Sequence, residues 1–92
     1  MAITYDPGKN EKSIAERGIS FDRASEFEWS GALVVEDTRK DYREARFQAL
    51  GFIEGRLHML VFTPRAGDTH VMSLRKANKR EVKRYERTKT QS

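Results

Sequence analysis

Two pairs of residues have the types and spacing for work on a phosphodiester: Glu44 with Arg46, and Ser73 with Arg75. The members of each pair stand two apart, so on a strand both point to the same face. If the two strands share a sheet, a carboxylate, a hydroxyl and two guanidinium groups converge on one open surface. Such a set meets the needs of RNA cleavage without a metal ion. A 2′-hydroxyl has to lose its proton, a leaving oxygen has to gain one, and the extra negative charge at phosphorus has to be stabilised. Arginine suits the last task because it stays charged and grips two oxygens at once. It is a poor base, with a pKa above about 12. The base would have to be Glu44, His58, Glu54 or a lysine with a lowered pKa. A plain surface ion pair also accounts for Glu44 and Arg46, so the two residues alone do not decide between catalysis and pairing.

A wider basic set surrounds these pairs. Arg56 and Arg65 border a hairpin, and Lys76, Lys79 and Arg80 stand where its second strand passes into a basic helix. Tyr85 follows Val82 by three residues on that helix. The pair would form its apolar stripe, which makes Tyr85 an anchor to the sheet, or else a ring that stacks on a base. The net charge of +4 is segregated: residues 1–38 hold four Lys/Arg against eight Asp/Glu, and residues 39–92 hold fourteen against six. Clustered positive charge of this kind fits a phosphate backbone better than solubility alone.

Composition closes off other classes. With 92 residues the chain is one small domain with a single modest core. It has no cysteine, hence no disulfide framework and no thiolate metal site, and two histidines make a poor metal site. No metal or other cofactor is expected. No signal peptide or membrane span is visible, so a cytoplasmic protein is expected.

The elements that must position these residues can be read from punctuation and periodicity. Residues 2–5 are a short strand candidate. Asp6-Pro7 opens a helix that should stop at Gly18, with a thin apolar face of Ile14 and Ala15. Ser20 caps a second helix ending near Ser30-Gly31, in which Phe21 and Phe27, with Trp29 just beyond, are core anchors in preference to base-stacking rings. Residues 32–36 and 44–53 read as strands. Leu57–Phe62 and Thr69–Leu74 read as a hairpin across the turn-rich stretch Pro64–Asp68. If Thr63 pairs with Thr69, His58 falls opposite Leu74 on the core face, while His70 lies near the loop at the surface. Asn78 with Glu81 forms a capping box for the final helix, and residues 88–92 should fray. The fold class is α+β: two N-terminal helices packed on a four- to five-stranded, mainly antiparallel sheet, with a C-terminal basic helix, in the order β-α-α-β-β-β-β-α.

Four blocks carry a family resemblance: Tyr5-Asp6-Pro7-x-Lys9; Gly18-Ile19-Ser20-Phe21-x-x-Ala24; Glu44-x-Arg46 with Gly51; and Ser73-x-Arg75-Lys76-Ala77 with Glu81 and Tyr85. In this order, over residues 5–85, the chain resembles the BrnT toxins of bacterial type II toxin–antitoxin systems. The resemblance implies a RelE-like fold and a ribonuclease that blocks translation and growth. It implies a BrnA-type antitoxin as partner in a hetero-oligomer, with DNA contacted only through that antitoxin. It points to Glu44, Arg46, Ser73 and Arg75 as catalytic positions, with Lys76, Arg80 and Tyr85 nearby. The family often carries Asn-x-x-Lys-His before its first glycine, where this chain has Ser13-Ile14-Ala15-Glu16-Arg17. A non-catalytic nucleic-acid-binding or regulatory protein-interaction module is the alternative, since phosphate binding uses the same residues as phosphate chemistry.

Overall fold

Asp6 starts the first helix as its sequence suggests: the carboxylate accepts the Gly8 N–H at 3.2 Å, and Gly18 ends the helix at φ 69°. The computed structural model describes residues 2–90. The elements are β1 (Ile3–Tyr5), α1 (Pro7–Arg17), a 3-10 helix (Phe21–Glu26), β2 (Leu33–Glu36), β3 (Phe47–Ile53), β4 (Arg56–Arg65), β5 (Asp68–Lys76) and α2 (Lys79–Thr90). The five strands form one sheet in the order β1-β5-β4-β3-β2. β2 to β5 run as an antiparallel meander, and β1 joins β5 in parallel, so the sheet is mixed.

Each sheet face carries its own core. On one face Phe21, Ala24 and Phe27 pack against Ala49, Ile53, Leu60, Val71 and Leu74. Trp29 stands edge-on to Phe27 and Phe62, with centroids at 4.8 and 5.3 Å. These aromatics are core anchors. On the other face Val82 and Tyr85 of α2 lie over Leu50, Leu57 and Met59. That helix covers part of the second face and leaves the rest open.

Several details differ from the expectations, each for a physical reason. The second N-terminal helix is a 3-10 helix, because Phe21, Ala24 and Phe27 repeat every three residues and a 3-10 turn stacks such positions on one side. α1 turns Ser13 inward, where its hydroxyl donates to the Ile19 carbonyl at 2.8 Å, and leaves Ile14 46% exposed. Its expected Ile14–Ala15 apolar face is therefore outward. β3 begins at Phe47, so Glu44 and Arg46 precede the strand and do not alternate along it. The last hairpin closes with a two-residue turn, Ala66-Gly67 at φ 50° and 83°, and Arg65 pairs with Asp68. Positive φ at both turn residues matches the strand twist that tight hairpins need. A β-bulge lies between Val61 and Phe62: Val61 pairs with Ser73 and Phe62 with Val71, so Met72 has no partner across the ladder. The tighter turn and the bulge together bring His58 opposite Lys76, where Leu74 was expected. α2 continues to Thr90, with the Thr88 and Thr90 hydroxyls donating to the carbonyls four residues back; residues 91 and 92 of the expected frayed tail lie outside the described residues.

Two buried features generate predictions. Gly51 faces the Phe27 ring, and an added Cβ would sit 2.5 Å from its Cζ. Gly51→Ala should destabilise the fold by about 1–3 kcal/mol in urea unfolding, as overpacking does. His58 is 2% exposed, and its Nδ1 lies 2.7 Å from the Arg56 carbonyl. A carbonyl only accepts, so Nδ1 carries the proton. Nε2 is then a bare lone pair, without a partner among the described residues. Burial pushes the imidazole pKa down. Above about pH 6.5 both folded and unfolded states hold it neutral; below that the unfolded chain takes the proton first, so stability falls with pH, by at most about 1.4 kcal/mol per unit for one proton. Urea midpoints at pH 7.5 and 5.5 should show a loss in the wild type that His58→Leu reduces; equal losses would remove His58 from the acid response.

Candidate active site

The open part of the second sheet face holds a cavity of about 360 Å³. Its walls come from five places in the chain. β5 supplies Met72, Ser73 and Arg75, and β3 with the residue before it supplies Gln48 and Arg46. The β2–β3 loop supplies Asp37 and Arg39, and Lys9 and Glu81 come from the first turns of α1 and α2. Arg46, Ser73 and Arg75 are therefore brought together. Glu44 is not: it lines a neighbouring cavity and forms a fork with Arg65, with N–O distances of 2.8 to 3.1 Å. That guanidinium holds its carboxyl below the usual glutamate range. Arg65 shares the neighbouring cavity with Arg46.

The remaining basic candidates lie elsewhere. Lys76, Lys79 and Arg80 are exposed and line none of the four polar cavities described on this face and its margins. Arg56 borders an apolar groove with Phe52, Leu57, Val82 and Tyr85. Tyr85 is an anchor: its ring stands edge-on to Phe52 at 5.5 Å and its hydroxyl donates to the Gly31 carbonyl at 3.0 Å.

Two carboxylates organise the arginines. Glu81 accepts both terminal nitrogens of Arg75 at 2.8 Å and the Asn78 N–H at 3.0 Å. Asn78 returns a bond from its side chain to the Glu81 N–H at 2.8 Å, which completes the capping box. The Arg75 guanidinium pulls the Glu81 carboxyl down and is itself pushed up by it. Asp37 sits at the end of β2 with its side chain wholly buried. It accepts Nε and Nη2 of Arg39 at 2.9 and 2.8 Å and the Tyr42 hydroxyl at 3.4 Å. Arg39 holds the Asp37 carboxyl far below the usual range, although burial opposes this. The Tyr42 ring in turn carries the Arg46 guanidinium, whose central carbon lies 3.9 Å from the ring centroid. So Asp37 fixes Arg39 directly and Arg46 through Tyr42.

None of Glu44, His58 or Glu54 lines the cavity, so of the groups considered as bases from sequence only a lysine, Lys9, is at this place. Lys9, Asp37, Arg39 and Glu81 were given no role there. Lys9 had a signal in the Tyr5–Lys9 block, and Glu81 one in its capping spacing. Asp37–Arg39 had none, since their pairing depends on a loop conformation that no periodicity encodes.

This arrangement can receive a phosphodiester: cations on three sides, a hydroxyl donor from Ser73, and a floor of Met59 and Val61. A family model for the ribonuclease toxin BrnT of type II toxin–antitoxin systems matches residues 5–81. The chain belongs to the BrnT family. The match includes every residue that lines the cavity. No curated protein matches the chain. As a BrnT-family member it is a ribonuclease toxin of a type II toxin–antitoxin system, which brings with it an RNA substrate and a protein antitoxin. No helix among the described residues is long and apolar enough to cross a membrane.

The Asp37 relay should be visible in kinetics. Asp37→Asn keeps the shape but weakens the grip on Arg39 and Tyr42. RNA cleavage should fall on the order of 10- to 100-fold, the size expected when a charged group is misplaced by about an ångström. Steady-state cleavage beside a thermal melt checks it: a fold that melts as the wild type does, with unchanged kcat/KM, would remove Asp37 from the site.

Proposed function

We propose that the toxin is a metal-independent RNA endonuclease acting by attack of a ribose 2′-hydroxyl on the adjacent phosphorus. The observation that carries this reading is that Arg46, Ser73 and Arg75 line one cavity together with Lys9. The new bond joins O2′ to phosphorus, the bond to the 5′-oxygen breaks, and the products are a 2′,3′-cyclic phosphate and a 5′-hydroxyl end. Arg46 and Arg75 bind the non-bridging oxygens and neutralise the charge that builds on them, and the Ser73 hydroxyl donates a further bond. Arg39, fixed by Asp37, adds a cation at the loop side. Both oxygens of Asp37 and of Glu81 are committed to arginine forks. That favours an electrostatic role for the pairs over metal ligation. It also leaves Lys9 as the proton carrier, giving a proton to the leaving oxygen. The O2′ proton passes to solvent water, and the same field stabilises the alkoxide as it forms.

In this reading residues 1–92 are one toxin domain, the partner is a BrnA-type antitoxin in a hetero-oligomer, and the toxin works in the cytoplasm. DNA is met only through the antitoxin. Lys76, Lys79 and Arg80 contribute general attraction for polyanions, outside the cavity.

The test is incubation of the purified toxin with end-labelled RNA in excess chelator, without ribosomes. The wild type should give fragments ending in cyclic phosphate. Arg75→Ala and Arg46→Ala, still folded, should each lose cleavage by about 100-fold or more, as loss of a charge-stabilising donor does, and Lys9→Ala should lose it with binding retained. Wild-type rates in both arginine variants would overturn the assignment. Salt-dependent binding with no product would favour a non-catalytic RNA-binding module.

A further inference from the structure

The β-bulge in β5 has a consequence for the face it distorts. Met72, the residue left without a partner across the ladder, lines three adjoining cavities: the one holding Arg46, Ser73 and Arg75, a second of about 200 Å³ beside α1, and a third of about 260 Å³. A bulge adds one residue to a strand and re-aims a side chain, and bulges recur next to active sites for that reason. Here the residue it delivers is a methionine, half-buried, at the meeting point of three cavities rich in charged side chains. An unbranched thioether is adaptable and makes favourable contacts with aromatic rings.

The third cavity has the other parts of a pocket for a flat ring. Tyr42 and Met72 both line it, and Arg46 belongs to both this cavity and the phosphate cavity. The central carbon of the Arg46 guanidinium lies 3.9 Å from the Tyr42 ring centroid, which holds its charge at the border of the two cavities. The Glu44–Arg65 fork forms the far wall; the three bonds between them use Nε and Nη2 of Arg65, and Nη1 takes no part in the fork. Glu44 Oε1 accepts two of the three bonds and Oε2 accepts one, so Oε2 keeps a free acceptor site. It therefore presents an acceptor to a base edge, which suits an exocyclic amino group.

We propose that this cavity is a nucleobase subsite, in which the base next to the scissile phosphate rests on Met72 beside Tyr42 and presents an amino group to Glu44. The proposal rests on the ribonuclease reading for the identity of the ligand as RNA, but its geometry is separate from the cleavage step. Adenine, cytosine and guanine carry the amino group and uracil does not, so uracil is the disfavoured base. Glu44, expected from sequence as a catalytic carboxylate, is then a specificity residue.

The experiment uses the full chain with its methionine methyl groups labelled with carbon-13. Met72→Leu identifies the Met72 signal among the three methionines. The protein is titrated with inorganic phosphate and then with each of the four nucleoside 3′-monophosphates. The Met72 methyl signal should move upfield with the nucleotides, under the ring current of the base, and hardly at all with phosphate. The uridine nucleotide should bind at least fivefold more weakly than the others, and Glu44→Gln should shrink that difference. Nucleotides that move the signal no more than phosphate does would overturn the subsite. A uridine response equal to the rest would remove Glu44 from it. RNA left uncut by the wild type, with the Met72 response intact, would overturn the cleavage reading and leave the subsite standing. Cut RNA without a base-specific response would do the reverse.

Discussion

The Glu81 carboxylate joins three parts of the molecule. It fixes the Arg75 guanidinium at the end of β5, accepts the Asn78 N–H in the link, and lies in the first turn of α2. α2 has no fully buried residue; Val82 and Tyr85 are its half-buried stripe. A helix with so thin an apolar face takes its placement from whatever pins its ends. At one end that is the fork to Arg75, aided by a negative charge at a helix N-terminus, where the backbone dipole favours it. Towards the other, the Tyr85 hydroxyl reaches Gly31. The group that places the helix is thus the same one that holds a site arginine in position, and the fold and the cavity share one interaction.

Asp37 repeats this logic across the cavity. Its burial would be unfavourable for a lone carboxylate, and the Arg39 fork is what makes the charged form stable there. The two forks also answer a problem of charge. Lys9, Arg39, Arg46 and Arg75 line a single cavity. Four cations around one cavity repel one another. Two carboxylates paired with Arg39 and Arg75 reduce that repulsion, and each fork uses two of the five guanidinium N–H donors; Arg75 gives a further bond to the Lys76 carbonyl at 3.3 Å. An incoming phosphate meets arginines already ordered, so less side-chain entropy is lost on binding than with free surface chains.

The sequence carried most of the fold because the decisive signals are local. Asp6, Gly18, Ser20 and the Asn78–Glu81 box each act within a few residues, and each stands where its type suggests. What was not legible depends on long-range geometry. The bulge at Met72 reflects how β4 and β5 fit over two different cores, and no periodicity announces an unpaired residue. The Ala66-Gly67 turn needed an alanine at positive φ, a choice the sequence argues against. Ser13 replaced Ile14 on the inner side of α1 because the chain leaving Gly18 presented a carbonyl to be bonded, which outweighed the thin apolar pattern.

The site was half legible for a related reason. Arg46, Ser73 and Arg75 were found by type, but the grouping rule applied to them, strand alternation, holds only for Ser73 and Arg75; Arg46 arrives from a loop, over the ring of Tyr42. The density of positive charge pointed to the final helix, yet its outer lysines and arginines line none of the polar cavities. Charge density on a helix face does not by itself locate a cavity. What distinguishes the cavity is that two of its arginines, Arg39 and Arg75, are forked to carboxylates withdrawn from water, Asp37 wholly and Glu81 to 13% exposure, whereas the helix cations stand in solvent. Ordering a cation by burying its partner is worthwhile only where the cation must be in one place. In this chain the buried carboxylates, more than the exposed cations, therefore mark the proposed phosphodiester site.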